Sequence, residues 1–286
     1  MIVITGATGA LNGATVEHLL GLVPADRVAV SVRDVGRAQH LADRGVRVRR
    51  GSYDDPAALL HSFEGAEQVL LVSSSDPRAD GPALHLVGVE AAVAAGAQRI
   101  LYTSHQNAKP DTAFGPGRDH AETEALLAQS GVAWTSFRNG FYAHSIDWML
   151  GPWQSAGAIA TPADGPVSWT DRSEQAEAAA VVLSRPGGFD GPITLTASAA
   201  PDFTEIAAIA AGLTGRPIER VVLDDEDWVA AQIASGAPEA QSRFTLGFFQ
   251  AARRGDFAGV DPLLRELLDR EPRGVSDLLA ERVSAA

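Results

Sequence analysis

Cysteine is absent from all 286 residues. Its absence excludes disulfides, thiolate zinc sites, iron–sulfur ligation and thiol nucleophiles. Positive charge is scarce: 23 Lys and Arg stand against 36 Asp and Glu, a formal net charge of −13. A chain that coats DNA by displacing phosphate counterions needs the opposite balance, so no nucleic-acid partner is expected. Long apolar runs are missing too. Gly or polar residues break the apolar stretches well short of the roughly 20 residues that a spanning helix needs, so no membrane partner is expected. The first residues, Met-Ile-Val-Ile-Thr-Gly, lack the basic segment and cleavage pattern of a signal peptide. A soluble, cytoplasmic protein is the expectation. The seven histidines include no H-x-x-x-H or H-E-x-x-H spacing, so no metal site is expected. Ser104-His105 lacks the flanking glycines of a nucleophile elbow, which argues against hydrolase chemistry.

What remains is the composition of a folded chain, 45% hydrophobic and 21% charged, long enough for one large α/β domain or two smaller units. Strand and helix patterns alternate through the first half. Short β-branched or apolar runs fall at residues 2–5, 27–33, 46–50, 69–73, 99–104 and 133–138. Between them lie segments with helical spacing, at 14–23, 39–44, 56–63, 84–95 and 119–129. Continuous apolar strands that alternate with helices predict a parallel sheet covered on both faces, and right-handed crossovers make it doubly wound. After residue 150 the rhythm loosens. Gly157, Pro162, Gly165 and Pro166 read as loops. Strands are expected at 193–196 and 220–223, and helices at 176–183, at 203–213 and from Trp228 onward. The expected division is a nucleotide-binding domain at 1–150 and a smaller mixed α/β part at 151–286. The smaller part would bind substrate and pack across the end of the sheet. The acidic run 224–227 reads as a solvated helix start, with Trp228 anchoring that helix to the core.

The strongest motif is Thr5-Gly6-Ala7-Thr8-Gly9-Ala10-Leu11-Asn12-Gly13. It follows a strand and opens a helix, the context that a dinucleotide fingerprint requires. Gly6 permits the tight turn, Gly9 lets the backbone approach a pyrophosphate, and the helix N-terminus aims unpaired N–H groups at it. The pattern calls for a third glycine at 12, where helix and strand pack closely. Asn12 stands there instead, with glycine displaced to 13. Either the turn survives, because Asn tolerates unusual φ/ψ, or cofactor affinity is weakened. The second strand ends in Ser31-Val32-Arg33, with Arg37 following. Guanidinium groups suit a 2′-phosphate, which favours NADP(H). Asp34 could instead serve the ribose of NAD.

These residues resemble the atypical short-chain dehydrogenase/reductase superfamily in its NmrA-like branch. Within it they are similar to the type 2 NAD(P)H:quinone oxidoreductases and triphenylmethane reductases. ITGATGAL, SVRD, GSYDDPAAL, LLVSSSD, ILYTS, DHAETEALLAQSGVAWT and SFRNGFY carry the likeness in order over residues 1–145. WTDRSEQAEAAAVVLS and ITLTASAAPDFTEIAAIAAGLTGRPI continue it, and the match is loose beyond about residue 224. The resemblance implies a Rossmann-type domain that binds NADP(H). It places Thr8, Gly9, Ala10 and Leu11 at the pyrophosphate and Arg33 at the 2′-phosphate. Ser73, Ser74, Ser75 and Thr103 fall beside the riboses and nicotinamide. Arg138, Asn139, Gly140 and Phe141 fall near the nicotinamide and the substrate cleft. Ser52 replaces an Asp that often meets the adenine, which puts one contact in doubt.

Ordinary short-chain dehydrogenases use a Tyr-x-x-x-Lys pair for proton exchange. Here the tyrosines are Tyr53, Tyr102 and Tyr142, the sole lysine is Lys109, and no such pair exists. His120 takes the place where many NmrA-like relatives carry lysine. It can bond a ribose and titrate near neutral pH. His120, Ser104 and Tyr142 are therefore the catalytic candidates. A quinone or conjugated dye spreads the charge it receives over an extended π-system and needs orientation more than a strong acid. Phe141, Tyr142, Trp148 and Trp153 are expected to wall such a planar organic substrate, with His105 and Gln106 orienting its oxygen. The resulting expectation is NADPH-dependent hydride transfer to a quinone-like acceptor. A non-catalytic NADP-sensing regulator and a natural-product tailoring enzyme stay open, as does a homodimer.

Overall fold

The computed structural model describes residues 1–74, 76, 79–185 and 187–284. Its strands are β1 (Ile2–Thr5), β2 (Val28–Val32), β3 (Arg47–Arg50), β4 (Gln68–Leu71), β5 (Arg99–His105), β6 (Ala133–Asn139), β7 (Ala158–Pro162), β8 (Gly191–Leu195) and β9 (Glu219–Leu223). β1 reads IVIT and β2 VAVSV, with every residue buried. Runs of that kind belong in the middle of a sheet covered on both faces. The seven-stranded sheet runs β3-β2-β1-β4-β5-β6-β8. Its pairs β2–β3, β1–β2, β1–β4 and β4–β5 are parallel, with Val3 opposite both Ala29 and Val69. Strand order reverses between β1 and β4. Ligands of doubly wound folds bind at such a switch point, outside the carboxyl ends of the strands.

Two compact units share the chain. The first comprises Met1–Ala108, Asp119–Arg138 and Ser173–Thr194 and contains the large sheet. One of its cores joins Val3, Ala29, Phe63, Val69, Val89, Ile100 and Tyr102. The second comprises Lys109–Arg118, Asn139–Arg172 and Leu195–Ala286. There β7 and β9 form a parallel pair beside an aromatic core that includes Trp153, Trp169, Phe203, Phe248 and Phe249. This corrects the expected division at residue 150. β8, which lies well past that point, is the edge strand that completes the large sheet beside β6. The short segment 109–118 belongs to the second unit. Strand β7 also replaces a stretch read as loops. Its pairing partner, β9, lies far along the chain, where local pattern gives no sign of it. Among the described residues no helix is long and apolar enough to cross a membrane.

The helix Ala10–Leu19 settles the glycine question. Asn12 is helical and buried, and its Nδ2 donates to the carbonyl oxygen of Thr5 at 2.8 Å, tying the helix to the end of β1. The close approach falls at Gly13, where a Cβ would meet the Ala7 carbonyl oxygen at 3.0 Å. The displaced glycine is thus the one that packing requires, and Asn12 adopts no unusual backbone. Asn12→Gly should destabilise the protein by about 2 kcal/mol, through the lost buried bond and a glycine inside a helix. Asn12→Ala should lose about 1 kcal/mol. Urea unfolding midpoints check both, and a rise in stability for Asn12→Gly would contradict this role.

Candidate functional site

The turn between β1 and its helix is built to leave donors unspent. Gly6 has φ +65°, and a Cβ there would stand 2.6 Å from Val72 Cγ1, so no side chain fits. Gly9 occupies the N-cap in an extended conformation. No side chain caps this helix and no acidic residue sits in its first turn. Its leading N–H groups and the positive end of its dipole are therefore available to an anion. Thr8, Gly9, Ala10 and Leu11 are all at least partly exposed around it.

Free positive charge gathers nearby. Arg33 and Arg37 are exposed, and their guanidinium groups make no hydrogen bond or ion pair among the described residues. The same holds for Arg50, whose backbone stands opposite Val32 in the β2–β3 register. Asp34 is engaged: its Oδ1 accepts from Gly36 N–H at 2.9 Å and caps the turn Val35–Ala38. The local chemistry therefore favours a phosphate over a bare ribose hydroxyl.

Ser73 and Ser74 follow β4, half-buried, whereas Ser75 lies outside the described residues. Thr103 is buried. Its Oγ1 accepts from Ser73 N–H at 2.8 Å and donates to Ser73 Oγ at 3.4 Å, so it braces the segment after β4. Ser104 departs from its expected catalytic role. Its hydroxyl donates at 2.8 Å to the buried carboxylate of Glu124, which also accepts from Ser136 Oγ at 2.7 Å and pairs with Arg138. The only proton of Ser104 is committed to keeping a buried charge satisfied. The signal for this was present in Glu124 and Arg138, but only the fold brings them to Ser104.

Three histidines line up beside Tyr102. His120, on the helix Gly115–Gln129, meets Tyr102 Oη through Nδ1 at 2.8 Å. His105, at the end of β5, stacks on His120 with ring centroids 6.2 Å apart. His85 packs against the other side of Tyr102 at 5.2 Å. Burial pushes His85 and His105 down to about 4. Burial, with His105 and His85 as neighbours, holds His120 well below the ordinary imidazole value. This goes against the expectation that His120 titrates near neutrality: burial favours its uncharged form. Gln106 is half-buried in the turn that follows.

The second unit holds the remaining candidates. Asn139 is buried, and its Oδ1 accepts no hydrogen bond among the described residues. Gly140 has no room for a side chain, since a Cβ would come within 2.2 Å of Thr170 Oγ1. Phe141 packs edge-on against Trp169, Phe248 and Phe257. A cavity of about 270 Å³ opens beside it, lined by Phe114, Phe141, Trp148, Trp228, Phe244 and Phe248 together with uncharged residues such as Gln232, Gln241 and Ser145. Trp148 is 79% exposed at this cavity. Two of the expected wall residues do not line it. Trp153 is buried in the aromatic core, and Tyr142 stacks on His144 beneath the Arg172 guanidinium. Burial also raises the Tyr142 hydroxyl, which disfavours a catalytic phenolate. Phe244 and Phe248 went unnoticed in the sequence, although their spacing places them on one face of the amphipathic helix Glu239–Arg253.

Comparison with known proteins gives consistent matches. A model of the NmrA-like family matches residues 1–262. Quinone oxidoreductase 2 of Escherichia coli is 33% identical over 287 residues, covering 99% of this chain and 98% of the relative. The solved structure of an NADPH-dependent quinone oxidoreductase from Escherichia coli, complexed with NADPH, superposes with a TM-score of 0.92 at 31% identity, covering 99% of this chain and 100% of that one. Triphenylmethane reductase from Citrobacter sp., complexed with NADP(H), gives a TM-score of 0.89 at 28% identity, covering 99% of each chain.

Ser104→Ala should lower unfolding free energy by about 1–2 kcal/mol, because Glu124 loses a buried donor. Its dissociation constant for NADPH should stay at the wild-type value. A fully stable variant with abolished NADPH oxidation would restore Ser104 to the reaction.

Proposed function

Because the chain belongs to the NmrA-like family, we propose that it is an NADPH-dependent reductase that passes hydride to a quinone or a similar planar, conjugated acceptor. The observation that carries this reading is the pairing of an uncapped helix N-terminus after Gly6 with unpartnered guanidinium groups beyond β2. Together they fit a pyrophosphate and a 2′-phosphate in a chain that is otherwise strongly acidic.

Gly6 and Thr8–Leu11 hold the pyrophosphate. Arg33 and Arg37 hold the 2′-phosphate, and Ser73, Ser74 and Thr103 border the path of the cofactor past β4 and β5. Bound NADPH supplies the hydride, and one further proton converts a quinone to its hydroquinone. Burial holds all three aligned imidazoles below the ordinary imidazole value, which favours their neutral forms over proton donation as imidazolium. In this reading the proton is drawn from solvent, and His120 acts through hydrogen bonding. The aromatic cavity of the second unit suits the acceptor. Its lining carries no charged side chain, which favours a neutral quinone over a dye cation. The working context in this reading is cytoplasmic, with a small organic partner and no nucleic acid.

The test is to mix the protein with NADPH and a small quinone and follow the reduced-nicotinamide absorbance band. Quinone-dependent loss of that band is expected. Tight NADPH binding without turnover would favour a sensor instead, and no dinucleotide binding would remove both readings. Arg33→Ala should raise the NADPH dissociation constant about 10- to 100-fold, the loss of charge-assisted bonds worth about 1.5–3 kcal/mol. NADH affinity should change little. Equal losses for the two dinucleotides would refute the 2′-phosphate role.

A further inference from the structure

The hydrogen bonds around Tyr102 can be followed proton by proton. Thr123 Oγ1 donates to the carbonyl oxygen of Asp119 at 2.8 Å. A threonine hydroxyl has one proton, so toward His85 Nδ1, 2.8 Å away, Thr123 acts as the acceptor. His85 Nδ1 therefore carries hydrogen. Independently, the Ser74 backbone N–H donates to His85 Nε2 at 2.7 Å, so that nitrogen presents a lone pair. The two bonds define the same neutral tautomer, and a second proton on His85 would face the Ser74 N–H head-on.

Tyr102 is fully buried, so its hydroxyl proton must be placed within the protein. His85 Nδ1 lies 3.4 Å from Tyr102 Oη but already bears hydrogen and cannot accept. His120 Nδ1 lies at 2.8 Å. Thr123 Oγ1 is also a hydrogen-bond partner of the Tyr102 hydroxyl, but it already accepts from His85 Nδ1 and donates to Asp119, so the short contact to His120 is the favoured outlet for the phenol proton. Burial keeps the Tyr102 hydroxyl well above its ordinary value, so it stays a donor. The same burial and its imidazole neighbours keep His120 uncharged. Its one ring proton then sits on Nε2, which makes no hydrogen bond among the described residues.

We propose that Tyr102 is a positioning residue that donates to His120 Nδ1 and so presents His120 to the ligand as a fixed, neutral Nε2–H donor, with His85 Nδ1–H and Thr123 already engaged with each other. This deepens the reductase reading and rests on it for the identity of the ligand: the Nε2–H serves an oxygen lone pair on the bound cofactor or acceptor. A donor of this kind strengthens its bond to an oxygen as that oxygen gains charge, and it gives up no proton. It also needs no lysine, in a chain that has only one.

Nitrogen-15 NMR of the histidine rings in the full-length protein tests this without turnover. Wild-type His120 should show a protonated Nε2 and a bare Nδ1, and His85 the reverse. In Tyr102→Phe, His120 should move to a mixture of tautomers while His85 keeps its own. With quinone and NADPH, that variant should lose about tenfold in kcat with little change in KM for NADPH. A wild-type His120 protonated on Nδ1, or a His120 spectrum unmoved by Tyr102→Phe, would overturn the proposal. The wild-type spectrum decides the matter even if Tyr102→Phe fails to fold. A protein with the stated tautomers but no quinone turnover would keep the proton arrangement and sink only the assigned reaction.

Discussion

A single buried carboxylate organises the first unit. Glu124 is removed from solvent and holds its charge through Arg138, Ser104 and Ser136. Those partners come from β5 and β6, so the helix Gly115–Gln129 cannot rotate or slide without stranding a charge in the interior, a change that costs several kcal/mol. One turn back on the same helix lies His120, and next to Glu124 lies Thr123. The ion pair thus sets the register in which His120 meets Tyr102 and Thr123 meets His85. Residues that look catalytic by type, such as Ser104, serve this constraint. Residues that look structural, such as Tyr102, meet a catalytic candidate, here His120.

The doubly wound sheet solves a second problem, the binding of an anionic cofactor by an acidic chain. Burial of β1 and β2 on both faces confines charge to the strand ends. There the chain leaves a helix start without acidic residues or a side-chain cap, and among the described residues Arg33, Arg37 and Arg50 have no side-chain partners. Elsewhere arginine is largely spent on pairing. Arg99 bonds Asp190, Arg220 bonds Asp164 and Arg282 bonds Asp147. Positive potential is therefore a local property of this site and not of the surface as a whole.

Much of the fold was legible because its signals are local. A run such as IVIT followed by a glycine turn, or VAVSV followed by Arg33 and Asp34, carries its meaning within ten residues. So does the helix start at Asp224, which caps its own next N–H groups. What failed to show depends on distant partners. Ser104 meets a glutamate on the next helix. Trp153 is claimed by the aromatic core. β7 exists through β9, and the cavity is completed by Phe244 and Phe248 from a helix a hundred residues beyond Phe141. Asn12 looked like a defect in a glycine pattern because the pattern records spacing and not what the side chain at that spacing bonds.

The uncharged lining of the aromatic cavity has one more consequence. Exposed guanidinium groups are screened over a Debye length of about 8 Å at physiological ionic strength. Attraction for a phosphorylated cofactor therefore fades as salt rises. Burial of a neutral ring among Phe114, Phe141, Trp148 and Phe248 has no such dependence, and strongly hydrated salts reinforce it. In the proposed assignment, the two ligands of one reaction are held by forces that respond in opposite directions to ionic strength, so cofactor capture weakens as salt rises while acceptor capture does not.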